Sequence, residues 1–304
     1  MNSEPWPHIR IYSEKGLLVL RDGFSITIYT RHPHAQIAEG ALRSLELYLN
    51  AVEPGALGLY ADLDGYWQNL DSTAWKLIRD ELRHPTQAHI ELADTSAVQA
   101  RYRFTYHGSS FTPLPFIRDT STWVSAMSCW LPTEYLKERG FAQVRELVMG
   151  MASCFPFCSG HAGLSLHAQN DLLSLEKVSR ARANRYPGMD IALSALPTLD
   201  IGTRVNGVHW LNFLGPPVLD ALGGIAGLRV RLHSPDISVQ EMEEGRAVVT
   251  LGAHPDAGDI EEGRTLPAYR ELARVLEPFL YQRRYLPNEE VPEELRRWER
   301  RFLD

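Results

Sequence analysis

The sequence predicts an α+β protein built from mainly antiparallel sheets flanked by helices, and three features carry that expectation. Gly207-Val208-His209-Trp210-Leu211-Asn212-Phe213-Leu214 is apolar and aromatic on alternate positions. A strand that apolar must be covered on both faces, which places it centrally in a sheet. Short alternating runs meet at turn residues, so 237–241 and 247–251 around Glu244-Gly245 read as an antiparallel hairpin. Apolar stripes at helical spacing recur between such runs, and hairpins mixed with helices mark the α+β class.

Each element follows in chain order. Residues 16–20 read as an edge strand, Arg21-Asp22-Gly23 as a hairpin turn, and 24–29 as the paired strand. Ile37, Leu42, Leu45, Leu49 and Val52 give a helix over 36–52 that Pro54-Gly55 closes. Trp75, Ile78 and Leu82 share one face of a helix over 72–83, capped by Asp71 or Ser72. Runs at 88–92 and 98–106 alternate as two strands. Residues 123–131 are strand-like, and Pro132-Thr133-Glu134 opens a helix carrying Leu136, Phe141, Val144, Leu147, Val148 and Met151. A short strand follows at 162–166, then a polar helix within 171–190 that must end before Pro187. After the central strand, Pro216-Pro217 starts a short helix that Gly223-Gly224 ends. Residues 228–232 read as a strand, 254–263 as a loop and 266–281 as a helix. The tail, 287–304, reads as a charged helix with Leu295, Trp298 and Phe302 on one side.

Pro113 and Pro115 make 108–119 the best boundary. It divides the chain into an N-terminal α+β lobe, 1–118, and a C-terminal α+β lobe, 119–304, which either stand apart or close into one compact unit. A strand-to-helix order recurs at Ile26 into Leu45, Val124 into Val148 and Val208 into Leu222, so the lobes are expected to be similar.

The chain has 304 residues, of which 44% are hydrophobic and 23% charged, enough for a large packed core. A formal net charge of −7 argues against direct nucleic-acid binding and suits a basic partner. The opening MNSEPWPHIR lacks the charged-then-apolar pattern of a secretion signal, and no run is long enough to span a bilayer. A cytoplasmic location without membrane contact is therefore expected. The three cysteines, Cys129, Cys154 and Cys158, fit reduced thiols.

The candidates for chemistry have plainer readings beside them. His32-Pro33-His34 offers two imidazoles, an incomplete metal site in what reads as an exposed loop. Cys154 and Cys158 have zinc-like spacing without a second pair, and His161 or His167 could activate a thiol, but cysteines are most often buried. His209 reads as a general base or as a hydrogen-bonded core histidine. Arg180, Arg182 and Arg185 could hold phosphate or form a solvated helix face. Trp67 and Trp75, near Tyr60 and Tyr66, suit either a core or a partner-facing surface. The sequence holds no nucleophile elbow, no phosphate-binding glycine loop and no His-Glu-x-x-His pair. No catalytic set, cofactor or metal is predicted.

Charge is the more informative signal. Between residues 234 and 262 eight carboxylates stand against Arg246 alone. Glu241, Glu243, Glu244, Asp256, Asp259, Glu261 and Glu262 are the candidate partner-binding residues, expected as a negative patch at one end of a sheet. Such a patch would meet a basic cleft, with carboxylates standing in the place of phosphates.

Gly207 through Gly215, the Arg185-Tyr186-Pro187-Gly188-Met189-Asp190 turn and Trp298-Glu299-Arg300-Arg301-Phe302 resemble a bacterial family described as type VI secretion immunity for VRR-Nuc toxins. The resemblance spans most of the chain and rests on motifs of structural type, so it carries over no catalytic residue. It implies a cytoplasmic immunity protein that binds a cognate nuclease toxin of the PD-(D/E)xK type and obstructs its DNA-binding or metal-dependent site. Two other readings remain: an enzyme acting on a small molecule in an interlobe cleft through His209 or Cys154, and a homodimer formed through the Trp298 helix.

Overall fold

The computed structural model describes residues 6–95, 101–113, 119–168, 173–192, 199–283 and 293–304. In chain order they form β1 (Arg10–Tyr12), β2 (Leu18–Thr30), α1 (His34–Ala51), β3 (Leu59–Ala61), β4 (Trp67–Asn69), α2 (Ser72–Leu82), β5 (Ala88–Ala93) and β6 (Arg103–Gly108). Next come β7 (Ser125–Pro132), α3 (Thr133–Arg139), α4 (Phe141–Ser153), β8 (Ser159–Ala168), α5 (Leu173–Arg185) and β9 (Asp190–Ala192). Then follow β10 (Leu211–Leu214), α6 (Pro216–Ala221), α7 (Gly224–Arg231), β11 (Ile237–Met242), β12 (Arg246–Leu251), α8 (Pro267–Leu276) and α9 (Glu293–Glu299).

The twelve strands join one sheet in the order β11-β12-β10-β8-β2-β7-β6-β5-β3-β4, with β1 beside β2 and β9 beside β8. β8 and β9 pair in parallel; the other pairings are antiparallel. The fold is therefore α+β, as the hairpins predict. β2 lies at its centre. One edge pairs with β8 from Leu20↔Ala168 to Tyr29↔Ser159. The other is shared between β1, at Arg10↔Arg21, and β7, from Gly23↔Pro132 to Thr30↔Ser125. Because β2 precedes residue 118 while β7 and β8 follow it, the sheet runs across the expected lobe boundary, of which 114–118 lie outside the described residues.

Period-two alternation gives the sheet two unlike faces. Phe24, Ile26 and Ile28 of β2 share one face with Leu164 and Leu166 of β8, Met127 and Leu131 of β7, and Phe104 and Tyr106 of β6. Leu45 and Tyr48 of α1 and Val144, Val148 and Met151 of α4 close that core. The other face carries Ser25, Thr27, Thr105, Ser128, His161 and Gly163 along its middle. It turns apolar toward β10 and β12, where Leu214, Val249 and Leu251 pack with Leu272 and Leu276 of α8. β10 thus stands between the two cores, with Leu211 and Phe213 in the first and Leu214 in the second.

Several sequence expectations need correction. Arg21-Asp22-Gly23 is no turn but the interior of β2. Its charges are buried because partners come from afar: Asp22 accepts from the Ile9 amide (2.8 Å), Arg10 and Thr133, and Glu134 bridges Arg10 and Arg21 at 2.6 Å each. Gly23 leaves room for the His167 ring, which stacks on Trp130 with centroids 4.3 Å apart. Residues 228–232 belong to helix α7 and its cap, not a strand. Leu228 is buried while Val230 is exposed, so the alternating leucines are an i, i+4 helical pair. The helix expected from Pro132 onward is two, α3 and α4, parted by Gly140 at φ +77°. The central strand is shorter than expected. Gly207 takes φ +74°, and the Asn212 side chain accepts from the His209 amide and donates to its carbonyl, so 207–210 stays out of the ladder. Asp71 is the cap of α2, accepting from the amides of Thr73 and Ala74. Part of the 98–106 strand and the first third of the tail helix fall outside the described residues.

Gly23→Ala is expected to destabilise the protein by about 1–3 kcal/mol, the usual cost of overpacking a closed interior. Urea unfolding measures it; an unchanged midpoint would show that the His167 ring moves freely.

Candidate functional site

The three stretches that carry the family resemblance lie far apart in sequence and meet at one buried cluster. Asp190 opens β9, His209 precedes β10, His161 sits in β8, and Arg301 follows α9. The His161 and His209 rings stack at 4.0 Å with an interplanar angle of 17°. Asp190 Oδ2 lies 3.1 Å from His209 Nε2 and 3.8 Å from His161 Nε2. Arg301 Nη2 approaches Asp190 Oδ1 at 4.0 Å, and Arg301 Nε donates to the Pro187 carbonyl at 2.9 Å. Gly188 donates to the Ala257 carbonyl at 2.8 Å, tying the same turn to the loop after β12. One carboxylate therefore holds together β8, β9, the entry to β10 and the C-terminal segment.

Burial and neighbouring charge act on three members of this cluster. Burial alone would raise the Asp190 carboxyl, but the charge and hydrogen bond of His209, aided by Arg301 and His161, take it well below the usual carboxylate range. His161 is pushed down by burial and by the neighbouring His209, against the pull of Asp190. Burial also lowers Arg301. His161, Asp190 and His209 have the residue types and proximity of a metal site. Both Nε2 atoms face the same Asp190 oxygen, and the Arg301 guanidinium beside that carboxylate repels a cation.

The other chemical candidates are separated. His209 is 1% exposed, and its Nδ1 has no partner among the described residues. It is the hydrogen-bonded core histidine, held by Asp190. The Cys154 thiol donates to the Gly150 carbonyl at 3.3 Å, and Cys158 to those of Tyr29 and Gly202, also at 3.3 Å. Burial raises both, Cys158 to about 11, and each is held as a thiol rather than a nucleophilic thiolate. The imidazoles of His32-Pro33-His34 diverge. His32 meets Gln36 at 2.9 Å, while His34 is buried in the first turn of α1 against the Tyr106 hydroxyl at 2.8 Å, not in an exposed loop. Trp67 and Trp75 are half-buried, Trp67 beneath the Arg103 guanidinium. Trp298 packs on the larger core beneath Arg301, and Phe302 on Tyr269, so the apolar side of the tail faces inward.

The seven candidate carboxylates fall into two groups, correcting the expectation of one patch at one end of the sheet. Glu241, Glu243 and Glu244 lie at the β11–β12 tip, and Asp256 to Glu262 beyond the far end of β12. Six residues of strand separate them by roughly 20 Å. Glu241, Glu243, Glu244, Glu261 and Glu262 are exposed. Asp256 turns its own loop by accepting from the Gly258 amide at 2.8 Å. Asp259 is buried, takes a two-pronged hydrogen bond from Arg185 at 2.8–3.2 Å and accepts from the Glu261 amide. Arg185 also meets Glu261 at 2.5 Å, so it serves this loop rather than a phosphate cluster. Arg246, the lone cation of the segment, is buried over the Phe157 ring and donates to the Phe155 carbonyl, though Glu244 lies 3.2 Å from it.

Acid should weaken this fold. The lowered Asp190 contributes stability above the unfolded carboxylate value of about 4, lost as pH falls toward its folded value. The lowered His161 favours the neutral ring in the folded state, so its contribution is whole above about pH 6.5 and drains away below it. His34 and His107 act with the same sign. Between pH 7 and 5 stability is expected to fall, and His161→Asn should flatten that slope by at most one proton, about 1.4 kcal/mol per pH unit. Urea midpoints across that range check it; an unaltered slope would place the titration elsewhere.

The family described as TsiV, type VI immunity for VRR-NUC, matches residues 41–302. No curated protein matches the chain. Among solved structures, the Pseudomonas aeruginosa T6SS protein PA0821 superposes with a TM-score of 0.74 at 16% identity, covering 98% of this chain and 88% of that one. At that identity the likeness is one of fold, and it is a fold held by a protein of the same secretion system. The match over 41–302 takes in the Asp190, His161, His209 and Arg301 cluster, both carboxylate groups and most of the sheet. This chain belongs to the family of type VI immunity proteins for VRR-NUC.

Proposed function

We propose that this immunity protein acts in the cytoplasm by binding a cognate VRR-NUC-type nuclease toxin, covering its DNA-binding or metal-dependent active site, and turning over no substrate itself. The family match over residues 41–302 carries the reading. The chemistry of the chain supports it: the thiols are raised by burial, and the histidine pair is spent on holding four segments together. No helix among the described residues is long and apolar enough to cross a membrane. The inward packing of Trp298 and Phe302 removes support from a homodimer built on the tail. The pairing of β2 with β7 and β8 supports 1–118 and 119–304 as one compact unit.

Glu241, Glu243, Glu244, Asp256, Glu261 and Glu262 steer the encounter, and Asp259 holds their loop in place. A nuclease that grips phosphates presents positive charge, and a field of carboxylates raises the rate at which such a surface is met. Co-purification of the chain with its toxin tests the reading, as does survival of cells that make both. Reversing the six steering carboxylates to lysine is expected to slow association about tenfold at low salt, and far less near physiological ionic strength, where the Debye length is about 8 Å. Equal association rates at both salt concentrations would remove the steering role.

A further inference from the structure

The sheet ends at its other edge in a feature that the immunity reading leaves unused. β3, the turn into β4, α2 and β5 enclose a cleft of about 550 Å3. Its floor holds Tyr60, Ile78 and Ile90, and two leucines stand at its mouth: Leu63 is 96% exposed and Leu77 54%. Tyr66, 69% exposed, extends the apolar surface along the turn. An isolated exposed leucine is unremarkable, but aliphatic and aromatic groups gathered around a concave site mark a place where a partner docks.

Charge indicates the occupant. Asp62, Asp64, Asp80, Glu81 and Glu91 line the cleft with His84 and His89, and among the described residues no lysine or arginine does. Asp62 is committed to its turn, accepting from Tyr66, Asp64 and Gln68, and Glu91 to Arg103 at 2.8 Å. Glu81 accepts from the His89 amide at 3.1 Å, and Asp64 and Asp80 have no ion-pair partner among the described residues. Their charge is therefore available to a cation entering from outside. Asp80 and Glu81 sit in the last turn of α2, where the helix dipole adds negative potential.

We infer that this cleft is the anchoring site for the toxin, taking a lysine- or arginine-bearing segment whose apolar side packs on Leu63 and Leu77. This rests on the reading that the chain binds a nuclease with a basic face. It separates two tasks. Carboxylates beside β12, at the opposite edge of the sheet, act through a field that salt screens. The cleft acts by contact, in which desolvated ion pairs and a buried aliphatic group resist salt. A long cationic side chain suits the volume, since its methylenes lie on the leucines while its head reaches the acids.

The test is a binding titration of the full chain against the purified nuclease domain of the toxin at 150 mM salt, with Leu77→Arg and with Asp64→Lys/Asp80→Lys. These side chains are exposed, so far-UV circular dichroism and urea midpoints should match those of the unmodified protein. Each variant is expected to bind about a hundredfold more weakly, as loss of an interface anchor does. Binding within twofold of the unmodified chain would overturn the cleft as anchor while leaving the toxin-binding reading intact. Absence of binding by the unmodified chain would overturn both. A concentration-dependent dimer lost in Leu77→Arg, with toxin binding unchanged, would give the cleft to a second copy and overturn the assignment.

Discussion

Burial of β2 on both faces and both edges is the constraint on which the rest of the molecule depends. A strand in that position cannot leave a backbone amide or a charge unanswered, because the water that would solvate it has been removed. β8 and β7 satisfy its ladder from sequence beyond residue 118, and β1 closes the part that β7 leaves. Arg21 and Asp22 draw in Arg10, Thr133 and Glu134. The start of α3 is thereby pinned to the first strand of the chain, and the two halves share one core.

The same sheet assigns different work to its two faces. The face under α1 and α4 is apolar apart from the buried Asp22 and supplies stability through area removed from water. The other is polar at its centre and gathers its loops through the Asp190 cluster. That cluster places the turn 185–190 and, through Gly188 and Arg185, the carboxylate-bearing loop 256–262. A buried ion pair is a weak source of stability, since apolar replacements of such networks often leave stability unharmed, and what this one visibly does is join segments distant in sequence.

Much of this was legible in the sequence wherever the signal was local. The β11–β12 hairpin, α1, the Asp71 cap and the α+β class follow from periodicity and turn residues. Arg21-Asp22-Gly23 misleads because polar residues next to glycine spell a turn, and the partners that answer their charges lie up to 113 residues away. Residues 228–232 mislead because two leucines four apart, with a valine between, fit strand and helix alike. His209, Asp190 and Arg301 each occur in the stretches that carry the resemblance, yet their convergence is a property of the sheet order and not of any spacing. The cleft at α2 had only a weak signal, a leucine in the Asp62-Leu63-Asp64-Gly65 turn where nothing apolar is needed.

Inhibition by coverage has a stoichiometric signature that catalysis lacks. The direct measurement is DNA cleavage by a fixed amount of the toxin as this protein is added. Activity should fall in a straight line and vanish at one equivalent when both are well above their dissociation constant. Complete protection at a small fraction of an equivalent would contradict the account, because the chain would then be destroying or modifying the toxin. Full cleavage in the presence of excess protein would contradict it equally.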